Sequence, residues 1–202
     1  MRIPKQILIG TKCQPKLKEI REILGELPCA LLTPDDVGPL PEVIEDGATF
    51  EQNACKKACA LARHFKLAVL ADDSGLEVDA LDGRPGVRSR RYEGEEASDE
   101  ENNLKLLAEL EGIPEERRTA CYRCVVALAT PDGLQLTADG YCRGRIVTEP
   151  CGTNGFGYDP LFYYCPYGMT FGMLDSTLKN QVSHRGEAVR KLRDILLKSR
   201  KR

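Results

Sequence analysis

Leu70-Ala71-Asp72-Asp73-Ser74-Gly75-Leu76-Glu77-Val78-Asp79 places two adjacent carboxylates, a hydroxyl and a glycine directly after the apolar run Leu67-Ala68-Val69-Leu70-Ala71. The apolar run predicts a buried strand that ends at the acids, with Gly75 opening a turn. Burying charge is expensive, so acids at the end of a core strand belong in a cleft with a partner. Carboxylate oxygens suit a hard divalent cation, and strand ends are where α/β sheets bind ligands. A plain solvated Asp-Asp-Ser-Gly turn would carry the same residues.

Upstream, Ile7-Leu8-Ile9-Gly10 reads as a first buried strand. Thr11-Lys12-Cys13-Gln14-Pro15 turns the chain, and Pro15 suits the first turn of a helix. Apolar Leu17, Ile20, Ile23, Leu24 and Leu27 give Lys16 to Leu27 a helical period. This is the start of a βα unit, with Thr11 and Lys16 near a helix N-terminus, where backbone N–H groups favour an anion. No Walker pattern is present. Ala30 to Thr33 is a short second strand, and Pro34 to Asp46 a loop holding Glu42, Glu45 and Asp46. Thr49 to Phe65 is helical, with Thr49 as N-cap and Gln52 completing a capping box. Phe50, Ala54, Cys55, Ala58, Leu61 and Ala62 form its packed face. Asn53 and Lys57, one turn apart, share another face that reads equally well as surface decoration.

Downstream, Leu76 to Leu81 precedes the turn cluster Asp82-Gly83-Arg84-Pro85-Gly86. Arg88, Arg90 and Arg91 beside Tyr92 can contact phosphates or pair with the acids of Glu93 to Glu101. Ser98 caps a helix through Leu110, with Leu104, Leu107, Ala108 and Leu110 expected inward. Thr119 to Thr130 and Leu134 to Val147 flank Pro131-Asp132-Gly133, a hairpin signal. Gly152 to Tyr164 mixes glycines with aromatic rings and an acid. Glycines admit a ligand to the backbone, and a ring offers a face on which a base stacks. Lys179, His184 and Arg185 gather before a last expected helix, Glu187 to Leu197, as donors for an anion or a base edge. Ser199 to Arg202 reads as a solvated basic tail.

The 202 residues, 42% hydrophobic, suffice for one domain over 1–202 with a sizeable core. A net charge of −2 with mixed signs gives no electrostatic case for nucleic acid or an acidic membrane. Nothing near Met1 has the order of a leader, and no transmembrane run is visible. Nine cysteines without a repeating frame fit free thiols and a cytoplasmic protein. Cys121 and Cys124 lie three apart in a β-like run, facing opposite ways, with no second ligand pair to complete a zinc site.

Together these clusters supply acids for a divalent metal, cations at two helix starts and glycines with aromatics, the set a nucleotide polyphosphate needs. The sequence resembles the inosine triphosphate pyrophosphatase family, the dITP/XTP pyrophosphatases. The likeness rests on Thr11 to Lys16; Glu45 to Lys57; Ala71 to Leu76 with Pro85-Gly86-Val87; and Phe156-Gly157-Tyr158-Asp159-Pro160 with Lys179 and Ser183-His184-Arg185. The resemblance implies an elongated α/β mixed sheet flanked by helices, two lobes around a central nucleotide-binding cleft, and commonly a homodimer. It implies Mg²⁺-dependent hydrolysis of ITP, dITP and XTP to monophosphate and pyrophosphate. By position Asp73 resembles the proton acceptor and a metal ligand, with Asp72 and Glu45 as further metal ligands. Thr11, Lys12, Cys13, Lys16, Lys57 and Ser74 resemble phosphate-side contacts. Phe156, Gly157, Tyr158 and Asp159 resemble the base and ribose pocket, and Lys179, His184 and Arg185 the groups on the purine edge. The first loop departs from the family's usual Thr/Ser-Gly-Asn: Lys12 replaces a glycine and Cys13 an amide, and the alternative is a nucleotide-binding module with little turnover.

Overall fold

The computed structural model describes residues 3–199, so most of the expected basic tail, 200–202, lies outside the described residues. Seven strands form one mixed sheet in the order β2-β1-β3-β4-β5-β6-β7. They are β1 (Gln6–Ile9), β2 (Ala30–Leu32), β3 (Ala68–Val78), β4 (Thr119–Thr130), β5 (Gly133–Ile146), β6 (Phe162–Tyr164) and β7 (Met169–Thr170). β1 pairs parallel with β2 and with β3, and β6 antiparallel with β5 and β7. The helices are α1 (Gln14–Leu24), α2 (Pro34–Val37), α3 (Phe50–Phe65), α4 (Asp99–Glu109), α5 (Ser176–Val182) and α6 (His184–Ser199). No described helix is long and apolar enough to cross a membrane.

Two compact units divide the chain. The first takes residues 1–73, 124–140 and 184–202. Its core joins Ile7, Ile9 and Leu70 to Ile20 and Leu24 of α1, Val126 and Leu128 of β4, and Val189, Leu192 and Leu196 of α6. The second takes residues 74–123 and 141–183. Its core gathers Leu76, Val78, Leu106, Tyr122, Ile146, Phe162 and Phe171. The Phe162 ring centroid lies 4.6 Å from that of Tyr122 and 4.9 Å from that of Phe171, both pairs tilted and within the spacing of packed aromatics.

The sequence expectations for β1, α1, β2 and α3 hold to within a few residues. The hairpin also forms: only Pro131 and Asp132 separate β4 from β5, a connection that antiparallel neighbours alone permit. Four expectations change. The central strand does not stop at the acids: β3 continues through Asp72, Asp73, Ser74 and Gly75, because Leu76 and Val78 beyond them are fully buried. The acids are therefore interior, not in a turn. In α4, Leu104 and Ala108 face solvent while Asn102, Leu106 and Leu110 are buried. Asn102 belongs inside because its amide accepts from Glu93 N–H and donates to the Arg90 carbonyl. The loop after β2 holds the short α2, fastened by Asp36 accepting from Thr33 N–H and hydroxyl. Lastly, α6 begins at His184, and Lys179 lies on α5, so the expected basic cluster is split over two helices with Ser183 alone between them.

Candidate active site

In the first unit, strand alternation sends Asp72 and Asp73 to opposite faces of β3. Asp72 is fully buried. Its Oδ2 meets Lys16 Nζ at 3.1 Å and Arg185 Nε at 3.2 Å. Arg185, itself 1% exposed, reaches Glu19 Oε2 with NH1 at 2.7 Å. Lys16 and Glu19 come from α1 one turn apart, and Arg185 from α6. Burial alone would raise the Asp72 proton affinity; the Lys16 and Arg185 charges outweigh it and hold the carboxyl well below the usual range. Burial likewise opposes the charge on Arg185 and Lys16, and the Asp72 carboxylate, with Glu19 beside Arg185, raises both. Cys124 Sγ in the same interior is pushed up to about 12, first by burial and then by Asp72, and stays a neutral thiol.

Asp73 faces α3. Asn53 Nδ2 donates to its Oδ2 at 3.0 Å, while Asn53 Oδ1 accepts from Gly47 N–H at 2.8 Å. The acidic loop before α3 is fastened by that helix: Lys57 Nζ donates to Glu45 Oε1 at 2.9 Å, Lys56 pairs with Asp46, and Gln52 Oε1 accepts from Ala48 N–H. The N-cap works as expected, Thr49 Oγ1 accepting from Gln52 N–H, though the Gln52 side chain reaches one residue past the N-cap, to Ala48 N–H, and does not close the box. Any Cβ on Gly47 would come within 2.7 Å of Asn53 Oδ1, so this approach needs glycine. Asp73 is 7% exposed; burial pushes its proton affinity up, and the nearby Glu45 charge adds to that against the Lys16, Asn53 and Lys57 contributions.

The first loop lies at the N-terminus of α1. Cys13 N–H donates to Thr11 Oγ1 at 3.2 Å; Thr11 is nearly buried, Cys13 half-buried and Lys12 exposed. Ser74, next along β3, is half-buried and belongs to the second unit.

In the second unit the Gly152 to Asp159 loop wraps one carboxylate. Asp159 Oδ2 accepts from Lys179 Nζ at 2.6 Å and from Phe156 N–H at 2.8 Å, and Oδ1 from the Tyr122 hydroxyl at 3.3 Å. Lys179 is 4% exposed, and its Nζ lies 4.5 Å from the Phe156 ring centroid, a cation–π distance. The Tyr158 hydroxyl donates to Ser89 O at 2.8 Å, and burial raises its pKa. Gly157, with φ of 63°, is gripped on both sides: its N–H donates to Asp99 Oδ2 and its carbonyl accepts from Asn103 Nδ2.

Thr11, Lys12, Cys13, Lys16, Glu45, Lys57, Asp72, Asp73, His184 and Arg185 thus fall in the first unit, and Ser74, Phe156, Gly157, Tyr158, Asp159 and Lys179 in the second. The sequence pattern does not single out Glu19, Asp99, Asn103 or Tyr122, and it leaves Asn53, on one helical face with Lys57, open between a role in the site and surface decoration. Helical spacing was the available signal: Glu19 stands one turn after Lys16, and Asn103 one turn after Asp99. Among the described residues no three of His, Cys, Asp and Glu are grouped to cage a metal, and the nine cysteines are free.

The chain matches the Ham1 family over residues 7–195. It is 53% identical to the dITP/XTP pyrophosphatase of Geobacter sulfurreducens over 95% of its length and 96% of that protein's. It is 48% identical to that of Desulforamulus reducens, over 95% of both. Among solved structures, a HAM1 protein from Coxiella burnetii superposes with a TM-score of 0.87 at 38% identity, covering 96% of this chain and 98% of that one.

Proposed function

The chain belongs to the Ham1 family, and on that premise we propose that it hydrolyses deaminated purine nucleoside triphosphates (ITP, dITP and XTP) to the monophosphate and pyrophosphate. The observation that carries the mechanism is the Asp73 carboxylate, 7% exposed and aimed by the neutral Asn53 amide at 3.0 Å. A carboxylate held in a fixed direction within hydrogen-bond reach of water can act as a general base. Asp73 takes a proton from the attacking water, the water oxygen bonds to the α-phosphorus, and the bond to the bridging oxygen breaks to release pyrophosphate.

Mg²⁺ is the cofactor of this proposal. Magnesium uses one or two protein carboxylates and keeps the rest of its shell for water and substrate phosphates. Asp73 with Glu45, whose charge acts on it, fits that demand. Asp72 already neutralises Lys16 and Arg185, so we assign it the upkeep of those cations and leave the metal to Asp73 and Glu45. When bound, the ion supplies positive charge to the triphosphate oxygens as negative charge shifts onto pyrophosphate. Lys57 holds Glu45 in place, and Lys12, Lys16 and the N–H groups before α1 offer charge and donors to an anion.

Base choice is assigned to the second unit. Hypoxanthine and xanthine carry an acceptor oxygen at C6, where adenine carries an amino donor. The Lys179 ammonium beside the Phe156 face suits the oxygen, whereas adenine would set its own amino donor against it, a mismatch costing on the order of 1–3 kcal/mol. A homodimer belongs to this proposal through the family resemblance, and a cytoplasmic site of action through the nine cysteines without a repeating frame. The test is product analysis with Mg²⁺ on ITP, XTP, GTP and ATP. IMP and pyrophosphate from ITP, with little from ATP, supports the reading. ITP binding without pyrophosphate release overturns it in favour of a binding module.

A further inference from the structure

The proposed seat for the base is one half-buried ring, Phe156, and stacking depends on how that ring is held. Its own N–H is fixed by Asp159 Oδ2 at 2.8 Å. The next residue, Gly157, has both backbone polar groups bound by one turn of α4. Gly157 N–H donates to Asp99 Oδ2 at 2.6 Å, and Asn103 Nδ2 donates to the Gly157 carbonyl at 3.1 Å. Residues four apart on a helix lie on one side, so Asp99 and Asn103 act as a two-point clamp. The clamp lands on a residue in the left-handed region, φ 63°, where only glycine sits without strain.

Asp99 also suits the first turn of α4, where a negative charge meets the helix N-terminus, but nothing in the helix itself asks for Asn103. The helix is started by the reciprocal Ser98–Glu101 capping box and buried through Leu106 and Leu110. Asn103 even carries a cost, because its Oδ1 is buried with no hydrogen-bond partner among the described residues.

We propose that Asp99 and Asn103 are positioning residues that set the purine seat, holding the Gly157 backbone so that the Phe156 ring stays in stacking position beside Lys179. This rests on the functional reading above. A positioning defect of this kind lowers affinity for the base and spares the hydrolytic step, which lies with Asp73.

The test is steady-state hydrolysis of ITP and ATP, thermal melting, and amide exchange at Gly157 for wild type, Asn103→Ala, Asn103→Asp, Asp99→Ala and Asp99→Asn. Base stacking on one ring is worth a factor of about ten. Asn103→Ala and Asp99→Ala are expected to raise KM for ITP about tenfold with kcat held within about twofold. Gly157 exchange quickens in both, and Asn103→Ala melts no lower than wild type. Asp99→Asn keeps an acceptor oxygen and retains most of the affinity, whereas Asn103→Asp cannot donate and behaves like Asn103→Ala. Unchanged KM in both alanine variants of an enzyme whose wild type turns over ITP overturns the proposal. So does Gly157 exchange that none of the substitutions alters. A wild type that releases no pyrophosphate from ITP would instead overturn the functional reading, and this role would fall with it.

Discussion

Asn53 Nδ2 donates to Asp73 Oδ2 at 3.0 Å while the other end of the same amide accepts from Gly47 N–H at 2.8 Å. One side chain on α3 therefore fixes both the proposed base and the loop that carries Glu45. Hydrogen bonds to charged groups contribute about 1.5–3 kcal/mol, so Asn53→Ala is expected to lower kcat for ITP by roughly ten- to hundredfold. Asp73→Asn keeps the shape but cannot take a proton, and turnover is expected to fall further with the circular dichroism spectrum unchanged. Full kcat in Asp73→Asn would remove Asp73 from the mechanism.

The Asp72 ion pairs predict a pH-dependent stability. An ordinary aspartate titrates at about pH 3.9, and Asp72 is held below that, burial opposing and Lys16 and Arg185 prevailing. A depressed folded-state pKa stabilises the fold at every pH above the unfolded value and is lost as pH falls through the folded one. Asp72→Asn leaves the buried Arg185 and the half-buried Lys16 short of a countercharge, a loss of about 3–5 kcal/mol, or roughly 10 °C in a chain of this size. Melting curves of wild type and Asp72→Asn should stand far apart at pH 7 and draw together below about pH 4. A gap that does not narrow in acid would show that the pairs do not supply this stability.

The parts of the fold set by local pattern were legible in the sequence. The period of α1, the Thr49 cap of α3 and the two-residue hairpin connection each depend on neighbours within a few positions. The continuation of β3 was not, because Asp-Asp-Ser-Gly has turn composition and only the burial of Leu76 and Val78 on the far side keeps it extended. The inward face of α4 misread for a similar reason: Asn102 is buried through its bonds to Glu93 and Arg90, which no apolar period reports. In the site, family motifs marked Asp73, Asp159 and Lys179. They could not show that Arg185 lies between Glu19 and Asp72, since residues 19, 72 and 185 meet only in the folded unit.

Base selection is therefore assigned first to Lys179, whose Nζ stands 4.5 Å from the Phe156 ring centroid, and the resemblance also marks Arg185. Lys179→Met removes the donor for a 6-oxo group and leaves the Asp159 carboxylate its bonds from Phe156 N–H and Tyr122. The ITP-to-ATP ratio of kcat/KM is expected to narrow about tenfold. The ratio is the quantity to read, because a loss of folded enzyme cancels from it. An unchanged ratio in Lys179→Met beside a narrowed one in Arg185→Ala would move base selection to Arg185.

Gly140 controls whether α6 can deliver His184 and Arg185 at all. A Cβ at this β5 position would lie 2.1 Å from the His184 carbonyl oxygen and 2.5 Å from Ala188 N, both backbone atoms that no rotamer change can move. Gly140→Ala must therefore push back the first turn of α6, which carries the Arg185 guanidinium to Asp72 and Glu19. Overpacking of a tight interior costs about 1–3 kcal/mol, and a shift of even 1 Å would also stretch two buried ion pairs. The expected result is a melting temperature lower by roughly 5 °C or more and weaker turnover of ITP and ATP alike. Gly25→Ala is the control: its Cβ would meet nothing nearer than 3.5 Å, and both quantities should stay at wild-type values. A Gly140→Ala protein as stable and active as wild type would show that α6 does not rely on this close approach.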